Sequence, residues 1–280
     1  MNKDIYLCAI SNVKSGKCSE DCSFCTQSVH HNIDIDTYGF KSIEVVVREA
    51  KRMKRANATG FCLVSANKAI TDGILNKISQ YAKAIKKEVD INLIACNGMA
   101  TLSQLKELKD AGIDSYNHNL ESSADFYKTI CSTHSWESRF QTCINAKEAG
   151  LKVCSGGIFG MGESAEDRKN LIVSLKELEL NAIAINLFHP NPQLPLKTKT
   201  LEKQEALDII SFVRSEVKSK KVMLAGGREM VFGNDLKEIF EAGANSIVIG
   251  SYLTTKGNEE VEEISTIRDM GYNIMGDCSE

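Results

Sequence analysis

The chain contains Lys152-Val153-Cys154-Ser155-Gly156-Gly157-Ile158, followed by Ser164-Ala165-Glu166-Asp167 and then by Leu171, Ile172, Leu175 and Leu178. The first segment is a short apolar run that includes two glycines, which is typical of a buried strand. The second segment has the spacing of a capping box, in which a serine and an acidic residue three positions later bond backbone amides at the start of a helix. The four apolar residues recur on one helical face. This stretch therefore predicts one strand followed directly by one helix.

The same order of strand and helix recurs along the chain. The strand candidates are Ile5–Ser11, Gly60–Ala66, Ile91–Cys96, Ser115–Leu120, Lys152–Ile158, Ala182–Leu187, Lys221–Ala225 and Ser246–Gly250. Helix candidates lie near residues 43–57, 72–88, 102–111, 136–149, 164–180, 202–218, 232–242 and 259–270. Such alternation predicts an α/β protein with a parallel sheet. About eight units predict a (β/α)8 barrel of the TIM type, with the active site inside it and at its C-terminal face. A doubly wound open sheet is the alternative, since periodicity does not show closure.

Composition excludes several classes of protein. The 280 residues are 42% hydrophobic and 25% charged, with a net charge of -3, which provides no basic footprint for nucleic acid. No apolar run is long enough for a membrane span, and the first ten residues lack the pattern of a secretory signal. Ten cysteines in a chain of this kind favour a reducing, cytoplasmic location and metal ligation over a disulfide framework. No linker or repeat divides the chain, so we expect residues 1–280 to form a single barrel domain.

Three cysteines, Cys18, Cys22 and Cys25, lie within eight residues, directly after the first predicted strand. Thiolates are soft ligands that suit an iron–sulfur cluster or zinc. A closed structural site uses four protein ligands, so three leave one metal position open for chemistry. The alternative is half of a zinc site that a distant residue completes.

A second set lies late in other predicted strands or just after them: Cys62, Cys96, Cys154 and Arg228. A single cysteine in an apolar strand is usually a packing residue. As a set, however, inward-facing thiols of different strands meet near the barrel axis and could hold a second cluster. Arginine is an unusual metal ligand because it is normally protonated, and the simpler interpretation of Arg228 is a charge partner of Glu229. We interpret Cys8, Cys131, Cys143 and Cys278 as structural.

Polar residues mark the end of the fourth predicted strand. Alternation along a strand would put Asn117, Asn119 and Glu121 on one face. If that face is the interior, these groups point at a polar substrate, because buried amides need partners. The alternative is a solvated strand end. The glycines at 156, 157, 160 and 162 would let a backbone approach a ligand or form only a tight turn.

Taken together, these motifs resemble the biotin synthase family of radical S-adenosylmethionine enzymes. The resemblance rests on the CxxxCxxC loop and on segments found in order over nearly the whole chain: Cys25–Ser28, Phe61-Cys62, Tyr116–Leu120, Val153–Gly157, Gly160–Glu163, Gly227–Glu229 and Gly243–Ile247. It implies a sulfurtransferase that inserts sulfur into dethiobiotin and uses two molecules of S-adenosylmethionine per product. It also implies an electron donor of the flavodoxin type and a homodimer, without nucleic acid or membrane partners.

The resemblance also assigns residues. It implies that Cys18, Cys22 and Cys25 hold a 4Fe-4S cluster, and that Cys62, Cys96, Cys154 and Arg228 hold a 2Fe-2S cluster that supplies the sulfur. The residues implied to contact S-adenosylmethionine are Phe24, Asn119, Glu121, Arg139 and Ile158. Those implied to contact dethiobiotin are Asn119 and Asn186. No side chain is implied as a catalytic acid or base, since the cofactor carries the radical chemistry.

Two positions depart from the family pattern. Glu121 stands where the family usually has aspartate, and Gly60 where it often has arginine. Another radical S-adenosylmethionine enzyme, of the hydrogenase-maturation or methylornithine synthase type, is an alternative, as is a non-catalytic carrier of zinc or an iron–sulfur cluster.

Overall fold

Eight parallel strands form a closed barrel in the computed structural model, which describes residues 3–217, 221–255 and 257–276. The strands are β1 (Asp4–Lys14), β2 (Gly60–Ser65), β3 (Asn92–Cys96), β4 (Ser115–Asn117), β5 (Lys152–Phe159), β6 (Ala182–Leu187), β7 (Lys221–Leu224) and β8 (Ser246–Ile249). Neighbours in the chain pair in order from β2 to β8, and β1 pairs with both β8 and β2, which closes the sheet. A short strand β9 (Asn273–Ile274) pairs with the start of β1. The predicted TIM-type barrel is confirmed, and the open sheet is wrong.

Helices follow the strands on the outside of the barrel. They are α1 (Ile43–Arg55), α2 (Asp72–Lys86), α3 (Leu102–Asp110), α4 (Ala124–Ile130), α5 (Trp136–Glu148), α6 (Ala165–Glu177), α7 (Lys203–Glu216), α8 (Arg228–Phe232), α9 (Lys237–Glu241) and α10 (Glu260–Asp269). Two of them, α4 and α8, were not predicted. The helix predicted near 232–242 is present only as the shorter α9, and Gly233, with a φ of 57°, separates it from α8. Within the described ranges, no helix is long and apolar enough to cross a bilayer.

Side-chain caps define where many of the helices begin. Ser164 accepts a hydrogen bond from the amide of Asp167, whose carboxylate accepts one from the amide of Ser164, so the predicted capping box is present. Thr101 and Gln104 form a second capping box at the start of α3. Ser42, Thr71, Ser123 and Ser135 each accept a bond from a backbone amide at the start of α1, α2, α4 and α5. Each cap satisfies an amide that the helix itself cannot, and so stabilises the start of its helix.

The main hydrophobic core lies between the barrel and its helices. Alternate residues of the strands, such as Phe61 and Leu63 of β2 or Leu93 and Ala95 of β3, pack into this layer. The residues between them, including Cys62, therefore face the barrel interior. This arrangement separates apolar packing on the outside of the sheet from the side chains that carry chemistry on the inside.

Candidate active site inside the barrel

The loop after β1 brings its cysteines together by folding back on itself. The amide of Cys18 donates to the carbonyl of Gln27 at 2.9 Å, and the amide of Val29 donates to the carbonyl of Cys18 at 2.8 Å. The buried side chain of Gln27 accepts a bond from the amide of Gly16 at 3.0 Å. The loop therefore starts and ends at the same place, and Cys22 and Cys25 lie within it.

The loop thiols are neutral in the metal-free chain. Burial raises the pKa of Cys18, and it raises the pKa of Cys25 to about 11. A metal or cluster must therefore displace protons from these thiols when it binds.

The spacing of the loop thiols tests what they can hold. A tetrahedral zinc ion with bonds of about 2.3 Å requires sulfur atoms about 3.8 Å apart. Among residues 3–217, 221–255 and 257–276, the only three metal-binding side chains whose donor atoms all lie within 4.8 Å of one another are Cys22, Cys131 and His134. The thiols of Cys18, Cys22 and Cys25 are thus too widely spaced for one ion, which leaves a larger group such as a cluster.

Cys131, which we interpreted from the sequence as structural, lies beside the loop. It follows α4, and its sulfur is 3.6 Å from that of Cys22. The hydrogen bond with Cys131 and burial raise the pKa of Cys22, while the bond from Cys22 lowers that of Cys131 to about 4. The two thiols are therefore in direct contact, and each affects the ionisation of the other. No pattern in the sequence links these cysteines, because 109 residues separate them.

A second polar group surrounds the end of β4. The guanidinium of Arg139 donates to the carbonyl of Asn119 at 2.7 Å and to Oε1 of Glu121 at 2.9 Å. Burial raises the pKa of Glu121, although the charge of Arg139 acts in the opposite direction. Strand β4 ends at Asn117, but the amides of His118 and Leu120 still donate to carbonyls of β5, and the burial of residues 117–121 continues to alternate. Arg139, from α5, bonds the last two residues of this face.

Three oxygen atoms of this polar group could accept hydrogen bonds from a ligand. Within the described part of the chain, Oδ1 of Asn117, Oδ1 of Asn119 and Oε2 of Glu121 are buried without a hydrogen bond. Such atoms cost free energy unless a ligand satisfies them. These three acceptor atoms thus fit a polar ligand with N–H or O–H groups.

Phe24 and Ile158 border the same region. Both pack, partly buried, against a second hydrophobic cluster made of Cys22, Tyr127, Ile130, Cys131, Met161, Phe188 and Leu194. The amide of Ile158 donates to the carbonyl of Glu121 at 2.8 Å. All five residues expected to contact S-adenosylmethionine therefore lie at the C-terminal end of the barrel, next to the cysteine loop.

The glycines after Cys154 have a structural cause. A Cβ atom on Gly156 would lie 1.8 Å from the carbonyl oxygen of Ala184 on β6, and one on Gly157 would lie 2.7 Å from the carbonyl oxygen of Glu121. Close approach of neighbouring backbone therefore accounts for both glycines. This approach also holds Glu121, whose φ is +69°, against β5.

The interior thiols lie on three strands: Cys62 on β2, Cys96 at the end of β3 and Cys154 on β5. A hydrogen bond with Cys96 and burial raise the pKa of Cys62, and the same bond lowers the pKa of Cys96. Burial raises the pKa of Cys154. Cys62 and Cys96 therefore meet inside the barrel, with Cys154 close enough to affect the charge on Cys62.

Arg228 is the first residue of α8 and is fully buried. Its Nη2 donates to Oε1 of Glu229 at 2.7 Å and also to Oε1 of Glu263 on α10. Burial opposes its charge, but Tyr252, Glu263 and Glu229 outweigh this effect and raise the pKa of Arg228. The charge partner considered from sequence is present, and Glu263 is a second one that sequence reasoning missed. Within the described ranges, Nε and Nη1 of Arg228 have no hydrogen-bond partner, so part of the guanidinium remains available for a further group.

Asn186 on β6 spans two neighbouring strands. Its Nδ2 donates to the carbonyl of Gly157 at 3.2 Å, and its Oδ1 accepts from the amide of Gly226 at 3.0 Å. An amide side chain can make up to four hydrogen bonds, so half of its capacity is left for a ligand in the interior.

Comparison with known proteins agrees with this geometry. The model of the Radical SAM superfamily matches residues 12–175, and that of the Biotin and Thiamin Synthesis associated domain matches residues 184–273. A biotin synthase of Nitratiruptor sp. is 55% identical over 277 residues, which cover 99% of each chain. A biotin synthase of Aliarcobacter butzleri is 50% identical over 99% of this chain and 98% of its own. The chain belongs to the biotin synthase family.

Solved structures support the family's fold. The FeFe-hydrogenase maturase HydG of Carboxydothermus hydrogenoformans superposes with a TM-score of 0.85, over 99% of this chain and 69% of its own. The sequence identity is 18%, so this similarity concerns the barrel alone. Members of the biotin synthase family are enzymes, and the radical SAM part of the family implies a 4Fe-4S cluster and S-adenosylmethionine.

Proposed function

We propose that this enzyme inserts sulfur into dethiobiotin to form biotin and consumes two molecules of S-adenosylmethionine per product. The observation that supports this is the presence of two cysteine sets in one barrel. One set of three thiols lies in the loop after β1, and the other lies on the interior face of β2, β3 and β5. Membership of the family over 99% of the chain adds to this.

In this proposal the loop residues Cys18, Cys22 and Cys25 hold the 4Fe-4S cluster. Three thiolates leave one iron for S-adenosylmethionine, and the spacing of the thiols suits a group larger than one ion. When bound, the cluster and S-adenosylmethionine supply the radical that removes hydrogen from unactivated carbons.

The polar residues at the end of β4 bind and orient the ligands. Arg139 fixes Asn119 and Glu121, and the unpartnered oxygen atoms of both face ligand N–H or O–H groups. Phe24 and Ile158 provide apolar walls for S-adenosylmethionine. Asn119 and Asn186 are assigned to dethiobiotin, since each has amide capacity that the protein does not use.

The interior set would hold the 2Fe-2S cluster as the source of sulfur. Cys62, Cys96 and Cys154 provide thiolates, and Arg228 provides the two nitrogen atoms that have no partner in the described part of the chain. Glu229 and Glu263 hold the guanidinium in one orientation from its Nη2 side. Cys62, Cys154 and Arg228 are buried, which limits the access of water to the position where sulfur is transferred.

Several further features belong to the proposal. The chain is a single domain, because the closed sheet crosses the boundary between the two regions that match family models. The enzyme is cytoplasmic and homodimeric and receives electrons from a donor of the flavodoxin type.

Anaerobic reconstitution with iron and sulfide, followed by turnover with a reductant, tests the function. We expect about six irons per chain if both clusters load and about four if only the loop cluster does. We also expect dethiobiotin to be converted to biotin, measured by mass spectrometry together with 5′-deoxyadenosine. Formation of 5′-deoxyadenosine with unchanged dethiobiotin would mean a different substrate. A colourless protein that holds only zinc would contradict the enzymatic function.

A further inference from the structure

The contact between Cys22 and Cys131 is fixed from both sides. The amide of Ser23, next to Cys22, donates to the carbonyl of Ile130 at 2.8 Å. The carboxylate of Asp21 accepts bonds from the amides of Ser132 at 2.9 Å and Thr133 at 3.2 Å. Both cysteines are buried. The backbones on either side of the two thiols are therefore tied together, and the sulfur–sulfur distance of 3.6 Å follows from this framework.

The hydrogen bonds around His134 define its tautomer. Its Nε2 lies 2.7 Å from the hydroxyl of Tyr127 and 3.2 Å from Nη1 of Arg139. A guanidinium can only donate, so Nε2 carries no proton and accepts. A ring proton is therefore on Nδ1, which donates to Oε2 of Glu20 at 2.6 Å.

His134 then determines which way the Cys131 proton points. The sulfur of Cys131 is 3.4 Å from the protonated Nδ1. Toward that N–H group the sulfur can therefore act only as a hydrogen-bond acceptor. Cys22 is the donor to Cys131 while it keeps its own proton. Once Cys22 binds a cluster as a thiolate, the S–H of Cys131 needs an acceptor. Thr133 Oγ1 is 3.7 Å away and already accepts a bond from the amide of Asp21 at 3.2 Å. The sulfur of Cys22 is nearer, and an ionised acceptor makes the stronger bond.

We propose that Cys131 is a positioning residue that donates its S–H to the sulfur of Cys22 when Cys22 is a cluster ligand. The inference rests on the proposed 4Fe-4S cluster. A thiolate that binds iron has no proton, so only Cys131 can then donate. Hydrogen bonds to cluster sulfurs help set the reduction potential. This bond stabilises the reduced, more negative cluster most, and so raises its potential.

Variants of Cys131 in the reconstituted full-length enzyme test the inference. Cys131→Ala removes the donor, Cys131→Ser keeps a hydroxyl donor, and Cys143→Ala is the matched control. Cys143 is also buried, but its thiol donates to the carbonyl of His118 at 3.2 Å. The measurements are the midpoint potential of the loop cluster by EPR-monitored titration and the coupling of exchangeable protons to the cluster by pulsed EPR in H2O and D2O.

We expect the potential of Cys131→Ala to become more negative and one exchangeable coupling to disappear. Cys131→Ser should restore both, and Cys143→Ala should match the unchanged enzyme. An unaltered potential and coupling in Cys131→Ala would overturn the inference while leaving the cluster in place. Loss of loop iron in both Cys131 variants, or one zinc ion that depends on Cys131 and His134, would overturn it by making Cys131 a ligand. If the unchanged enzyme holds no 4Fe-4S cluster, the proposed function itself fails.

Discussion

The loop thiols and the interior thiols are held by different kinds of structure. Cys62, Cys96 and Cys154 belong to strands whose register is fixed by the barrel ladder, such as the pairing of Val64 with Cys96. Cys18, Cys22 and Cys25 lie in an irregular loop. Hydrogen bonds to Gln27, Val29 and the segment 131–134 replace the ladder there. The interior set is therefore part of the scaffold, whereas the loop set depends on its neighbours.

This difference determines how each set responds to change. A substitution inside the barrel removes a ligand but leaves the strands paired. A substitution around the loop also disturbs the contacts that shape it, because Glu20 and Asp21 lie between the cysteines and bond distant residues. The two sets can therefore be distinguished by measuring 5′-deoxyadenosine, biotin and the iron content of each variant.

Cys18→Ala should have the largest effect, because it removes one of only three loop ligands. We expect neither 5′-deoxyadenosine nor biotin to form and the iron content to fall from about six to about two per chain. The interior set should still show the absorption of a 2Fe-2S cluster. Cys143→Ala is the control and should retain both products. Continued formation of 5′-deoxyadenosine by Cys18→Ala would contradict the role of the loop.

Cys154→Ala should separate the two products. The loop cluster remains, so 5′-deoxyadenosine should still form, but biotin should be lost because the sulfur source is missing. Iron should fall to about four per chain. Biotin formation at the normal rate would show that the interior thiols do not supply the sulfur, even if the loop cluster behaves as expected.

The sequence predicted most of the scaffold. All eight barrel strands lie where apolar runs indicated, because a buried parallel strand needs a nearly continuous apolar segment. The closed barrel agrees with the number of strand–helix units, about eight, that the sequence predicted. Helix α4 was missed because its seven residues are too short to show helical periodicity. The short helix α8 and the break between α8 and α9 were missed because Gly233 alone does not indicate where a helix stops.

The site was less predictable where it depends on packing. The cysteine loop was visible because its members are close in sequence. By contrast, Cys131 reaches Cys22, and Glu263 reaches Arg228, across 109 and 35 residues. Such contacts follow from how α4 and α10 pack on the barrel. For the same reason, the bonds from Arg139 of α5 to Asn119 and Glu121 could not be predicted from the sequence.

Arg139→Met should have a smaller effect, confined to the loop side of the barrel. The ion pair with Glu121 is buried, with each side chain 12% exposed. Removing one partner leaves an uncompensated charge, so we expect the free energy of unfolding to fall by about 3–5 kcal/mol. Chemical denaturation measures this fall, and the interior iron content should not change.

The fall in the free energy of unfolding that Arg139→Met causes should depend on pH. Burial already raises the pKa of Glu121, and the loss of the arginine charge raises it further. A carboxyl group with a raised pKa in the folded state stabilises the fold below its unfolded pKa of about 4.3 and loses that contribution as the pH rises through the folded pKa. The penalty should therefore be smaller at pH 5 than at pH 8. Adding Glu121→Gln should remove this difference, since no carboxyl group is left to ionise. If the free energy lost in Arg139→Met alone were equal at both pH values, Glu121 would not be the buried charge that Arg139 neutralises.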